Sequence, residues 1–210
     1  MRNTSMTFPS RLTMRTVVRN VAPPVALALG LWAASAFGRI PVPGTVVPIT
    51  LQTFVLMVGA LLLPTRQATA GVACYLAMGA VGLPVFSGGG STAALLGPSA
   101  GFLLGFLPAA AVTAALRHAV DGAVAPRSSA SSRPADAPRQ AAMRGVRRTA
   151  GYLAAAVLGC IVVSYLCGFV VQAAVLHLPL GAVAVPGLAF LPGDLAKAVA
   201  ATLMVAAVRR

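Results

Sequence analysis

The chain has 210 residues, of which 58 % are hydrophobic and only 9 % are charged. Sixteen lysines and arginines stand against three acidic residues, which gives a formal net charge of +13. Soluble domains carry about 25 % charged residues, so this composition excludes a soluble globular protein, and its hydrophobicity excludes a disordered chain. A nucleic-acid-binding role is disfavoured because the basic residues would need a soluble domain to carry them. These proportions are typical of an integral membrane protein.

Six apolar segments approach the ~20 residues that a membrane-spanning helix needs. They run over residues 21–38, 48–63, 67–83, 99–116, 151–178 and 191–208. The second is short, and the fifth is long enough to be tilted. We therefore expect an all-α integral membrane protein, with a cytoplasmic tail over residues 1–20 and a six-helix membrane domain over residues 21–210.

The basic residues lie almost entirely on one side of this arrangement. With both termini on the same side, all sixteen except Arg39 and Lys197 fall in the tail, the loop at Arg66, the stretch 117–148 or the C-terminus. Loops rich in Lys and Arg stay in the cytoplasm, so both termini are predicted to be cytoplasmic. Residues 119–148 are rich in Ala, Pro, Ser and Arg and are predicted to form a disordered cytoplasmic loop. Its arginines offer a contact for membrane lipid or for a partner protein.

The three loops on the other side are apolar and rich in proline and glycine, over residues 38–52, 82–101 and 178–194. Loops that face only water would be polar, so these segments are expected to fold back over the bundle and cover a cavity. Ordinary loops lying at the lipid headgroups are the alternative. The glycines at 88–90 are not a phosphate-binding loop, because the chain lacks the GxxxxGK[ST] motif.

The strongest polar signal is the pair Asp194 and Lys197, which lie three residues apart at the start of the sixth span and so share one helix face. Ionisable side chains within spans are costly and indicate function. A carboxylate accepts N–H bonds and an ammonium donates to a carbonyl, which suits a cyclic urea or amide; a structural ion pair is the alternative. Gln52 is expected either to line the cavity or to hydrogen-bond between helices. Tyr75 and Tyr165 are expected to pack in the core.

Small residues recur every fourth position along the first span. Close approach of another helix is the usual consequence of such a pattern. Packing inside the bundle and docking onto a partner membrane protein are equally compatible with it. The residues are Ala22, Ala26, Gly30 and Ala34.

Enzymatic chemistry finds little support in the sequence. The three cysteines form no C-x-x-C pair, which disfavours a metal or redox site. Aspartyl proteolysis needs two carboxylates, and the spans contain only Asp194. We therefore expect no catalytic residues, no metal and no cofactor.

Four segments, in this order, resemble the BioY family, the biotin-specific substrate-binding (S) component of energy-coupling-factor (ECF) vitamin transporters. They are IPVPGTVVPITLQTF (40–54), YLAMGAVGLPVFSGGG (75–90), GPSAGFLLGF (97–106) and PGDLAKA (192–198). With the six-helix plan they cover most of the chain outside the tail and residues 119–148. The sequence departs from the family pattern at Phe102, which keeps an aromatic ring but lacks a hydroxyl.

The resemblance implies a six-helix S-component bundle whose biotin cavity opens to the outside beneath the first and third outer loops. It implies that Asp194 and Lys197 contact the ureido ring of biotin. Further contacts are implied for Gln52 and for the glycine-rich stretch, at Phe86, Ser87, Gly88, Gly89, Ser91 and Thr92.

The same resemblance implies high-affinity biotin binding and uptake across the bacterial cytoplasmic membrane. Biotin is then the transported ligand, and the partners are a transmembrane coupling subunit and two ATPase subunits. The small-residue stripe of the first span resembles the docking face of such components. The alternatives are an S component for another vitamin, against which the PGD-x-x-K pair and GLPVF argue, and a membrane enzyme.

Overall fold

The computed structural model describes residues 14–37, 39–41, 43–125 and 137–209. The α-helices of these described residues are α1 (Met14–Ala36), α2 (Gln52–Leu62), α3 (Thr65–Ala80), α4 (Ala100–Val124), α5 (Ala137–Ala156), α6 (Ser164–Leu176), α7 (Leu180–Gly187) and α8 (Leu191–Val208). A π-helical turn over Val157–Val163 joins α5 and α6 into one continuous helix. The described part of the chain therefore forms six membrane helices: α1, α2, α3, α4, α5–α6 and α8.

Four of these helical stretches are long and apolar enough to cross a membrane: α1, α4, α5–α6 and the stretch through α7 and α8. Helix α2 has 11 residues and at a rise of ~1.5 Å per residue spans about 16 Å. It ends at Leu62, and the backbone of the next residue, Leu63, is extended because the following Pro64 disfavours the helical conformation there. The predicted all-α bundle of six helices is confirmed.

The bundle is held together by close contact between small residues, as expected where lipid gives no hydrophobic drive for helix association. Gly101 and Gly105 of α4 pack directly on Cys167 and Gly168 of α6, and Gly159 of the π-helical turn packs on Thr113. A methyl group at any of these glycines would overlap its neighbour. The α4 helix therefore lies at the centre of the bundle, against α5–α6 on one side and α3 on the other.

The basic stretch 119–148 differs from the expected disordered loop. Helix α4 continues to Val124 and α5 begins at Ala137. Both flanks of the stretch are therefore helical, and within it only residues 126–136 lie outside the described residues. Alanine and arginine, which dominate 137–148, are among the strongest helix formers. The predicted tail differs in the same way, because α1 already begins at Met14; residues 1–13 lie outside the described part. The third outer loop contains the short helix α7.

A polar network closes the basic end of the bundle. The buried Arg117 of α4 donates to Asp121 Oδ2 at 3.1 Å, and Arg209, after α8, donates to the same oxygen at 3.2 Å. Tyr152 of α5 donates to the other oxygen of Asp121. Both arginines also donate to backbone carbonyls at the C-terminal end of α2. These contacts hold α2, α4, α5 and the end of α8 together, and they explain why the helix persists around Asp121.

The small-residue stripe of α1 does not lie on a single face. Ala22 and Ala26 are exposed, Gly30 is half-buried, and Ala34 is buried. A methyl group at Gly30 would contact Val55 of α2 at 3.2 Å. A four-residue step advances about 400° around a helix of 3.6 residues per turn, so the stripe turns by about 40° each time and passes from the surface into the bundle.

Candidate functional site

A cavity of about 180 Å³ lies at the opposite end of the bundle from the arginine network. Its floor and walls come from the beginnings of α2, α4, α6 and α8, and its cover comes from residues 46–50 of the first outer loop and residues 86–87 of the second. Asp194 and Lys197 of α8 both line it, together with Gln52. The apolar outer loops thus cover a polar cavity, which accounts for their composition.

Asp194 and Lys197 form an ion pair of 3.0 Å inside this cavity, with only 7 % and 14 % of their side-chain surfaces exposed. Thr53 donates to Asp194 Oδ1 and Tyr165 donates to Oδ2, each at 2.9 Å. The Lys197 ammonium also donates to the Thr50 carbonyl at 2.6 Å and to Thr53 Oγ1 at 3.1 Å. Buried charges persist only where they are paired and hydrogen-bonded, and this pair meets both conditions before any ligand arrives.

The local sequence explains the position of the carboxylate. Asp194 lies in the first turn of α8, after Pro192 at the start of the helix. Proline is well tolerated there because its missing N–H is not needed. The positive end of the helix dipole stabilises an anion in that turn. Lys197 follows three residues later on the same face, so the helix presents both charges to the cavity together.

Gln52 belongs to a hydrogen-bond chain rather than standing alone. Its side chain is buried, its Nε2 donates to the Tyr75 hydroxyl, and its Oε1 accepts from Thr50 Oγ1 at 3.1 Å. Tyr75 in turn donates to the Val85 carbonyl at 3.1 Å. The chain links α2 to α3 and to the second outer loop. Its effect is to fix the adjacent Phe86, whose ring packs edge-on against Tyr75 at 5.3 Å.

Two cavity-lining hydroxyls have no hydrogen-bond partner among the described residues, those of Ser87 and Ser164. Both oxygens are buried, and burying an unpaired hydroxyl costs free energy. Ser164 and its neighbour Tyr165 follow immediately on the π-helical turn, a feature that often marks functional sites. The two hydroxyls are therefore available to a polar group placed in the cavity.

Aromatic rings supply part of the apolar lining of the cavity. Phe102 of α4 lies edge-on to Tyr165 at 6.4 Å and to Phe190 at 6.4 Å. Phe86 enters from the second loop. The cavity therefore joins a charged, hydrogen-bonding end to an apolar wall, the usual composition of a small-molecule site.

The glycine-rich stretch forms a tight turn. Phe86 and Gly90 pair through their backbones at 2.9 Å, and Gly88 and Gly89 between them each have φ of +75°. Glycine adopts this left-handed region without steric cost. Phe86 and Ser87 line the cavity, whereas Gly88 and Gly89 do not.

The remaining predicted residues of this stretch lie beside the turn. Ser91 and Thr92 are also absent from the cavity lining. Thr92 donates instead to the carbonyls of Gly79 and Ala80 at the end of α3. Ligand contacts at Gly88, Gly89, Ser91 and Thr92 stay predictions.

Arg39 lies at the mouth of the cavity. It is exposed, and its guanidinium lies against Gly88 of the turn. With Lys197 it is one of two cations in the lining, against the single carboxylate of Asp194. The described lining of the cavity therefore carries one net positive charge.

The structure adds residues to the site that the sequence did not indicate. Thr50, Thr53 and Ser164 line the cavity although no sequence motif marks them, and Tyr165, which was expected only to pack in the core, lines it as well. Nothing in the sequence placed Tyr165 beside Asp194, because 29 residues separate them. Thr53 could have been found from the sequence, because it directly follows Gln52 in the segment PITLQTF. Among the described residues, no three His, Cys, Asp or Glu side chains converge as a metal site.

A multi-pass helical bundle that holds a covered polar cavity at one end defines a membrane protein built to bind a small molecule. The sequence model of the BioY family matches residues 6–210, and the chain belongs to this family.

The related proteins carry the name biotin transporter. It is 35 % identical to the biotin transporter BioY of Rhizobium etli over 181 residues, which are 86 % of this chain and 84 % of the relative. It is 34 % identical to the probable biotin transporter BioY of Bacillus subtilis, over 73 % of this chain and 70 % of the relative.

A solved structure shares the fold. The crystal structure of the S-component for biotin from an ECF-type ABC transporter superposes with a TM-score of 0.76 and covers 94 % of both chains at 23 % identity. The S-component architecture predicted from the sequence is therefore confirmed. Membership of the BioY family also confirms the prediction of a transport protein rather than an enzyme.

Proposed function

We propose that this chain binds biotin with high affinity as the substrate-specific component of an ECF-type transporter, for uptake across the bacterial cytoplasmic membrane. The observation that carries the proposal is the buried Asp194–Lys197 pair inside a covered cavity. Membership of the BioY family and the names of its relatives support the choice of biotin.

The charged pair has the chemistry to bind a ureido ring. Such a ring offers N–H donors and one carbonyl acceptor, and a carboxylate and an ammonium complement these groups. All three N–H donors of the Lys197 ammonium already form hydrogen bonds, to Asp194, Thr53 and Thr50. Biotin would therefore replace one of these acceptors with its own ureido carbonyl. Because the ureido ring is neutral, its binding leaves the charge of the buried pair unchanged.

The rest of the cavity suits the remainder of the ligand. The rings of Phe86, Phe102 and Phe190 offer apolar surface, and the unpartnered hydroxyls of Ser87 and Ser164 offer hydrogen bonds. Arg39, which also lines the cavity, would pair with the carboxylate at the end of the aliphatic chain of biotin. Gln52, whose amide is held by Tyr75 and Thr50, would keep the wall in shape. Contacts from the neighbouring turn would come from Gly88, Gly89, Ser91 and Thr92.

The proposed partners are a transmembrane coupling subunit and two ATPase subunits, which would supply the energy of ATP hydrolysis. The chain itself carries no phosphate-loop motif. Ala22 and Ala26 are exposed on α1 and would allow a partner helix to approach closely. Gly30 and Ala34, farther along the stripe, turn into the bundle and would contribute less.

The test is a calorimetric titration of the purified chain in detergent with biotin, thiamine and riboflavin, each in a separate run under the same conditions. Biotin is expected to bind one to one, and the other two vitamins are not. Binding of thiamine or riboflavin in place of biotin would assign the chain to another substrate. An absence of binding with all three would reject the S-component function.

A further inference from the structure

A second open space lies between α5 and α8, away from the biotin cavity. This groove has a volume of about 680 Å³ and is walled mainly by small side chains. On α5 its wall includes Ala141, Gly145 and Thr149, spaced by four residues, and on α8 it includes Thr202 and Ala206. A methyl group added at Gly145 would meet nothing within 4 Å. The groove is therefore open enough at Gly145 to admit a larger side chain.

The length and charge of the groove indicate what it can hold. Its lining on α5 runs from Ala141 to Leu153, a length of about 18 Å at ~1.5 Å per residue. Arg148 lies within this length, so about 8 Å of the groove extends beyond it toward Leu153. A basic side chain in a groove whose other described lining residues are uncharged suits an amphiphile, whose anionic headgroup pairs with the arginine while part of an acyl chain lies along the helices.

The rim of the groove is apolar and exposed, and one basic side chain lies in its lining. Val199 and Leu203 of α8 line it and are 45 % and 58 % exposed. Arg148 lines the same groove, with a guanidinium that donates to the Arg209 carbonyl at 3.2 Å. None of the described lining residues is acidic. A second observation comes from Thr202, whose buried hydroxyl has no partner among the described residues.

We propose that this groove is a binding site for one anionic phospholipid. An acyl chain lies between α5 and α8, and the phosphate pairs with Arg148. Basic pockets between membrane helices on the cytoplasmic side bind anionic headgroups in this way, and that is the side on which the arginine distribution places this end of the chain. The proposal is independent of biotin binding, because the groove shares no residue with the biotin cavity.

The charge requirement is tested by native mass spectrometry of the full chain, purified and exposed to micelles with equal amounts of phosphatidylglycerol and phosphatidylcholine. The wild-type chain is expected to retain one phosphatidylglycerol in preference. Arg148→Gln should lower this retention about fivefold, the effect of one basic residue near the surface. Arg147→Gln is the matched control, since Arg147 is exposed outside the groove and the change in net charge is identical.

The shape requirement is tested by filling the groove. Gly145→Leu should abolish lipid retention, whereas Gly122→Leu, which also enters open space but lies outside the groove, should not. Thermal unfolding of each variant checks that it is folded. Equal retention of the two lipids by wild type, equal losses in Arg148→Gln and Arg147→Gln, or full retention in Gly145→Leu would each overturn the proposal. So would a groove that retains no lipid and is instead covered by a coupling subunit in a reconstituted complex.

Discussion

At the scale of single residues, the proposed site depends on a charged pair that is completed by its neighbours. Asp194 and Lys197 share Thr53, and Tyr165 holds the second carboxylate oxygen. The protein is therefore prepared to meet a neutral head group with charged hydrogen-bonding atoms already in position. Preorganisation of this kind favours tight binding because little has to be ordered when the ligand arrives.

Replacing the carboxylate tests this arrangement. Asp194→Asn should weaken biotin binding by about 1.5–3 kcal/mol, the usual worth of a charged hydrogen bond, when affinity is measured by calorimetry. Tyr165→Phe is the graded comparison, because it removes only one hydrogen bond to Asp194 and keeps the ring. Its expected loss is about 1 kcal/mol. Unchanged biotin affinity in both variants would show that the Asp194–Lys197 pair has only a structural role.

The unpartnered hydroxyl of Ser164 allows binding to be separated from stability. Ser164→Ala removes a buried oxygen that has no partner among the described residues, so thermal stability should stay the same or rise. If biotin uses this hydroxyl, affinity should fall about fivefold to tenfold. A loss of stability with unchanged affinity would be the contrary result.

At the scale of elements, the glycine turn shapes the cover of the cavity. Gly89 has φ of +75°, and a methyl group there would meet nothing within 4 Å. Gly89→Ala therefore isolates the cost of the left-handed backbone, about 1–2 kcal/mol, and should appear as a lower midpoint of thermal unfolding. Gly82→Asn is a milder comparison at another positive φ, since asparagine tolerates this region. Equal stability of Gly89→Ala and wild type would show that the turn relaxes.

Two alanines of the small-residue stripe of α1 allow packing inside the bundle to be distinguished from docking onto a partner. Ala34 is buried and Ala26 is exposed. Ala34→Leu should lower the stability of the isolated chain by about 1–3 kcal/mol through overpacking. Ala26→Leu should leave stability and biotin binding intact and impair uptake in cells that hold the complete transporter. Normal uptake with Ala26→Leu would remove this face from the proposed docking surface.

At the scale of the whole molecule, composition and the lengths of the apolar segments sufficed to predict the bundle. The six apolar segments and the scarcity of acids pointed to six membrane helices and singled out Asp194 and Lys197. The partners of this pair could not be predicted, because Tyr165 and Thr53 come from other helices, and their contacts span 29 and 141 residues of chain. The π-helical turn that precedes Tyr165 has no sequence signature comparable to a helix cap.

The stretch 119–148 shows the opposite limit of sequence reasoning. Its polar composition resembled a disordered loop, yet its flanks extend α4 and α5. The network around Asp121 contributes to this, because Arg117, Tyr152 and Arg209 converge there from three separate parts of the chain. Composition alone does not reveal hydrogen bonds between residues that lie far apart in the chain.

The most direct test of the proposed function is a calorimetric titration of biotin into the wild-type chain and into Asp194→Asn/Lys197→Ala. Wild type is predicted to saturate at one biotin per chain, and the double variant to bind at least about a hundredfold more weakly, a difference of about 2.7 kcal/mol. No detectable binding by wild type, or equal affinity of the two proteins, would contradict the assignment of this cavity to biotin.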